Sequence, residues 1–275
     1  VEPIDNRRRR RGLCHDENPA SIQRKEDGME IPVIAGLAIF IGTVLQRISG
    51  TGVGLVVSPV LALLLGPSLG VLATNATTTV TGFLILLSVR RRVVWRRASA
   101  LIASAAVGIV IGAGLVAIIP AAWLQIIIGT VVLASLALTL GAPRLPYLIG
   151  KRVTFTAGAL GGLLNATAGV AAPAMVIYAQ LTRWEQRTFS ASLQPIYMSM
   201  GAMSVIAKTA IGGTGIDALP PWWVVPAVVG VVAAGILAGT VLERKVSPAV
   251  ARTLAITLAG LGGAAAVVKG VLELI

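Results

Sequence analysis

IPVIAGLAIFIGTVLQRISGTGVGLVVSPVLALLLG, residues 31–66, is the stretch whose reading decides the fold class. Arg47 is its only charge. The apolar run up to residue 48 approaches the roughly 20 residues that a bilayer-crossing helix needs. It stops at Ser49-Gly50-Thr51-Gly52-Val53-Gly54, and a second, shorter apolar segment carrying Pro59 follows. In hydrocarbon, a backbone left irregular has no water to bond. A glycine-rich break at membrane depth must therefore be buried in protein or line a wet cavity.

The rest of the chain extends this pattern. Of 275 residues, 56% are hydrophobic and 12% charged, whereas a soluble domain is about a quarter charged. A solvated globule is thereby excluded, and the fold class expected is all-α, a polytopic membrane protein. Apolar runs place helical elements at 31–48, 53–65, 68–89, 98–119 and 123–142. A polar hinge at 143–152 follows, then elements at 153–164, 170–181, 188–212, 222–242 and 251–274. Residues 1–30 form a polar tail holding the only cysteine, Cys14, and the only histidine, His15. One cysteine forms no internal disulfide. Because Met29 directly precedes the first apolar run and the chain opens on Val1, the tail is expected to be disordered or not translated.

The order of long and short elements repeats on the two sides of the hinge, predicting two halves of five, 31–142 and 153–275. Short echoes agree: Gly50 to Gly54 precedes Pro59, and Asn165-Ala166-Thr167-Ala168-Gly169 precedes Pro173. The competing reading is that Gly and Pro simply recur in membrane helices.

The charge distribution bears on orientation. The formal net charge is +12, and since acidic and basic residues balance within the tail, the excess lies in the loops. Such a pattern encodes topology rather than nucleic-acid binding. Equivalent loops are opposed. Residues 66–70 carry no charge where their counterpart has Arg183 and Arg187. Arg90, Arg91, Arg92, Arg96 and Arg97 crowd one loop whose counterpart near Asp217 has no cation. The uncharged 120–122 turn answers Arg244, Lys245 and Arg252. The positive-inside rule then makes the halves inverted, puts the Arg-rich loops and the hinge in the cytoplasm, and leaves both termini outside. Trp95, Trp123, Trp184, Trp222 and Trp223 fall in loops or at helix ends, as an interfacial belt requires.

Chemistry is expected at the breaks. The helix starting near Val53 presents free N–H groups and a positive dipole end, which favour an anion. Gly50, Gly52 and Gly54 allow close approach, and Ser49 and Thr51 add hydroxyls. Gln46 and Arg47 stand just before the break, where a guanidinium fork suits a multi-oxygen anion such as sulfite, sulfonate or carboxylate. Snorkelling to a headgroup is the structural alternative for Arg47, and a ligand-free packing kink is the alternative for either break. Asn165 and Thr167 repeat the arrangement, with fewer glycines. Asn75, beside Thr74, Thr77 and Thr78, and Ser190, Ser192 and Gln194 in the equivalent helix offer neutral donors, although such residues also join helices to one another. Lys208 is expected at the interface.

These residues resemble the sulfite exporter TauE/SafE family of membrane anion permeases. The resemblance rests on Gly50-Thr51-Gly52-Val53-Gly54 followed by Pro59, the Gly66-Pro67 turn, Ala73-Thr74-Asn75, the Arg-rich loop around Trp95, and the return to Gly169 and Pro173. It implies transport of sulfite, organosulfonates or related small anions.

The spans contain no histidine and no carboxylate pair, so an intramembrane hydrolase has neither base nor nucleophile partner. No phosphate-cradling Gly-x-x-x-x-Gly-Lys-[Ser/Thr] segment exists, and no cofactor or metal is expected. Glu185, Asp217, Glu243 and Glu273 lie in loops or at helix ends, which leaves proton coupling without a mid-span carboxylate. An inside-negative potential favours anion efflux by about 2.3 kcal/mol per charge per 100 mV. Export through the cell membrane is the reading, with a channel-like facilitator or uptake permease as the alternative. The partners expected are the lipid bilayer and a small anionic substrate, and a homo-oligomer is compatible with the sequence.

Overall fold

The computed structural model describes residues 19–49, 53–141, 145–211, 223–243 and 245–275. The chain forms two compact units, Val1–Ile34 and Ala35–Ile275; the first contributes the opening turns of one helix, and the second holds all the packing described below. Among the described residues every element is helical. They are α1 Pro19–Ser49, α2 Gly54–Leu65, α3 Pro67–Val89, a 3-10 turn at Arg90–Arg92, α4 Trp95–Ile118, α5 Ala121–Gly141, α6 Lys151–Ala168, α7 Ala172–Leu181, α8 Gln186–Ile211, α9 Val224–Leu242 and α10 Pro248–Leu272. Segments of α1, α3, α4, α5, α9 and α10 are long and apolar enough to cross a bilayer, whereas α2 and α7 are short. This is a multi-pass α-helical membrane protein. Helix α1 begins at Pro19, ahead of its apolar run. Helix α6 continues to Ala168 rather than stopping at 164, because Gly169, at φ +71°, is the first residue to leave helical geometry.

Lipid tails are as apolar as leucine, so helices in a membrane associate through close packing rather than hydrophobic exclusion. Small residues supply that packing. A β-carbon on Gly108, Gly158 or Gly162 would meet the facing helix at the α4–α6 contact. Leu101 and Ser104 face Gly158, and Gly112 faces Leu163 and Ala166, so these two helices run parallel. Helix α9 lies on α1 in the same sense, with Gly235 against Phe40 and Thr43 and Gly239 against Val44 and Arg47.

Helices α3 and α8 pack differently. Gly82 meets Gln194 and Met198, while Gly201 meets Asn75 and Thr79, so α3 and α8 are antiparallel. The sequence offset that carries Asn75 to Gln194 also carries Thr79 to Met198 and Gly82 to Gly201. One contact therefore recurs with its partners exchanged. Helices α5 and α10 are antiparallel as well, with Gly129 against Gly263 and Val267, and Gly270 against Ala122 and Ile126.

Beside these seams an apolar core gathers Leu101, Ile109, Met175, Leu193, Ile196 and Met200. Trp184 joins it and corrects the aromatic-belt expectation. Only 9% exposed, it sits edge-on to Tyr178 and tilted against Phe189, with the Arg97 guanidinium 5.1 Å from its ring centroid. A cation over an indole face is favourable once water is excluded. Trp95, Trp123 and Trp223 are about half exposed, as an interfacial position requires. Trp222 lies outside the described residues.

Candidate functional site

The first break is held by Gln46. Its side chain is buried, its Oε1 accepts from the Val53 backbone N–H at 2.7 Å, and its Nε2 donates to Gln194 Oε1 at 3.1 Å. One amide thus caps the start of α2 and ties it to α8. The Val53 N–H just before α2, expected to face an anion, is thus satisfied by protein. Gln194 in turn donates its Nε2 to Ser190 O at 3.2 Å, one turn back along α8. Gly50, Thr51 and Gly52 lie outside the described residues. Ser49 closes α1, so it belongs to the helix rather than to the break.

Arg47 is neither alone nor snorkelling freely. Its Nε donates to Thr240 Oγ1 at 3.1 Å, and one terminal nitrogen lies 3.2 Å from Glu243 Oε2, both partners belonging to the C-terminal end of α9. The pair is partly solvated, with side chains 24% and 47% exposed. Such a pair contributes little to stability, about 0–1 kcal/mol, and its carboxylate can be displaced by another anion. Sequence reading missed Glu243 as this partner, because the fold alone brings α9 onto α1, along the seam at Gly235 and Gly239.

Beside Arg47 opens a vestibule of about 580 Å³. Gln46, Arg47, Arg92, Arg187, Ser190 and Gln194 line it, with Ile85 and Val89 forming apolar wall. Its basic residues come from α1, the 3-10 turn after α3 and the start of α8. No segment of sequence brings them together.

The second break is built otherwise. Asn165 and Thr167 stand in the last turn of α6 rather than in irregular backbone, which corrects the expected placement. Thr167 Oγ1 donates back to Leu163 O at 2.9 Å, so its hydroxyl hydrogen is spent within its own helix. Asn165 Nδ2 donates to Ser204 Oγ at 3.0 Å, and Asn165 O accepts from Asn75 Nδ2 at 3.3 Å. The two breaks touch. A β-carbon on Gly54 would collide with Gly169 O, and Ser58 Oγ donates to Ala168 O. Gly54 is therefore needed for backbone approach, as expected, but its neighbour is protein. Thr78, Asn165, Gly169 and Tyr197 border a small cavity at this junction, about 10 Å³ and room for about one water.

The expected site thus resolves into two places. Gln46 and Arg47 face the vestibule; Gly54, Asn75 and Asn165 lie in the interior with Ser204 and Tyr197, neither of which sequence reading had singled out. The offset that carries Asn75 to Gln194 also carries Gln46 to Asn165, so the Gln46–Gln194 and Asn165–Asn75 contacts are counterparts.

Lys208 is corrected outright. It is fully buried in α8, and its Nζ has no hydrogen-bond partner. It stands in the last turn of α8, the only basic residue of that helix beyond the opening turn, and an ionisable group of a membrane helix that is enclosed by protein is by default functional.

A family model for sulfite exporter TauE/SafE matches residues 34–266, nearly the whole chain. The chain belongs to the TauE/SafE family. It is accordingly a membrane transporter of the sulfite and anion type, and the family's members are transporters rather than enzymes. No curated protein and no solved structure matches the chain.

Proposed function

We propose that this TauE/SafE protein exports a small sulfur-containing or organic anion, of the sulfite or sulfonate type, through two inverted halves. The vestibule carries the reading. Arg47, Arg92 and Arg187 surround a space of about 580 Å³ whose floor is the Gln46–Gln194 amide pair. Guanidinium groups draw a tetrahedral or pyramidal anion inward, and neutral amides bind it without holding it too tightly to leave. Antiparallel packing of α3 on α8, with the exchanged Gly82 and Gly201 contacts, supports a two-fold axis in the membrane plane, because an axis along the membrane normal would make these equivalent helices parallel. Opposed loop charges favour a vestibule on the cytoplasmic side, where the substrate of an exporter enters.

Purified protein in liposomes tests this. Labelled sulfite or methanesulfonate trapped on the vestibule side should leave faster when that side is made negative. Arg47→Ala should lower binding at least tenfold while the protein stays folded, and Arg47→Lys should recover only part, since an ammonium lacks the planar fork. Flux that saturates at no concentration would instead favour the channel-like facilitator. Wild-type binding in Arg47→Ala would make this arginine structural.

A further inference from the structure

We infer that Lys208, with Ser204, Asn165 and Asn75, forms a second anion station, the counterpart of the vestibule at the other end of the pathway and closed in this conformation. The inference rests on the permease reading above and identifies the half of the route which that reading leaves undescribed.

Two independent observations meet at Lys208. The first is chemical. Its nitrogen is buried in a helix-lined interior with no acceptor, and the Oδ1 of Asn75 is likewise buried without a partner. A buried amine without a counter-charge is costly to protonate, so it takes up its charge where an anion arrives to balance it. Among the described residues no carboxylate pairs with it, so a small anion is the ligand whose chemistry completes the site.

The second observation is geometric. The offset relating the Gln46–Gln194 contact to the Asn165–Asn75 contact carries Ile85 to Ser204 and Val89 to Lys208. Gln46, Gln194, Ile85 and Val89 all line the open vestibule. Their counterparts, Asn165, Asn75, Ser204 and Lys208, are all buried. The four positions border a space of about 580 Å³ in one half, whereas in the other Asn165 borders one of about 10 Å³ and Lys208 is fully enclosed. A transporter with inverted halves has that asymmetry when one side is open and the other shut.

The charges differ in a useful way. The vestibule's cation on α1 is Arg47, whereas the counterpart position on α6 is Ala166. The closed side has its cation on α8 instead, at Lys208. An ammonium on a flexible stem can follow an anion out, which suits a release station.

Lys208→Met in liposomes is the test, with methanesulfonate as probe. Flux should fall at least tenfold, binding from the vestibule side should stay within about twofold, and thermal stability should hold or rise, since a buried unpaired amine is removed. Wild-type flux in Lys208→Met would overturn the inference. A second measurement does not depend on the variant folding. Cyanate, whose conjugate isocyanic acid adds across its C=N bond to a neutral amine to give a carbamyl-lysine, should modify Lys208 of the wild-type protein during turnover, and methanesulfonate should slow that modification, read by mass spectrometry. Modification unaffected by methanesulfonate would overturn the station. If wild-type protein moves neither sulfite nor methanesulfonate, the substrate reading fails by itself, and whether an added anion slows carbamylation of Lys208 still decides whether Lys208 meets an anion.

Discussion

The two broken-helix regions, between α1 and α2 and between α6 and α7, are finished differently. At the first, a side chain does the work: Gln46 both caps α2 and reaches Gln194. At the second, the backbone does more of it: Asn165 offers its carbonyl to Asn75 and spends its amide on Ser204, while Gly169 turns the chain at φ +71°. The first lies beside an open, arginine-lined vestibule, and the second is shut. On the proposed reading of two inverted halves, the first region is the entrance and the second the closed end, and a few differently placed polar side chains make the difference.

The comparison breaks at its root if the halves are not inverted. With Cys14→Ser as background, single cysteines at Ser68 and Arg183 should label from opposite sides of sealed vesicles, all or none, with Arg183→Cys reacting from the cytoplasm. Labelling of both from one side would sink the inverted arrangement and with it the counterpart argument.

Stability sharpens the contrast next. Gln46→Leu strands the Val53 N–H and the Gln194 Oε1 together, two buried groups, so it should cost about 2–4 kcal/mol. Asn165→Leu removes one side-chain bond and leaves the backbone acceptor of Asn75 in place, so about 1–2 kcal/mol is expected. Equilibrium unfolding in detergent at increasing denaturant compares the two; equal losses would mean that the breaks are held alike.

The smallest effect concerns the ion pair. Glu243 competes with any anion for Arg47. Glu243→Gln should therefore tighten methanesulfonate binding by up to about fivefold, matching the worth of a partly exposed pair. Weaker binding in Glu243→Gln, measured by titration calorimetry, would mean that the carboxylate positions Arg47 for its ligand rather than occupying it.

Much of the fold was legible in the sequence. Composition and run length determined that the chain is helical and membrane-spanning, because hydrocarbon admits few alternatives for a backbone. The breaks at Gly50 to Gly54 and near Gly169 were visible for the same reason. Arg47, Gln46, Asn75 and Asn165 were flagged because polar groups are costly in that medium and their presence demands an account. What each of them touches was not legible. Gln46 meets Gln194, Arg47 meets Glu243, and Asn75 meets Asn165 across long stretches of chain. Those partners are set by which glycine faces come together, a property of several helices at once. The same holds for Lys208, read as interfacial from its place near a helix end. Near an end means near water only if nothing packs over it, and tertiary structure alone decided that it is buried.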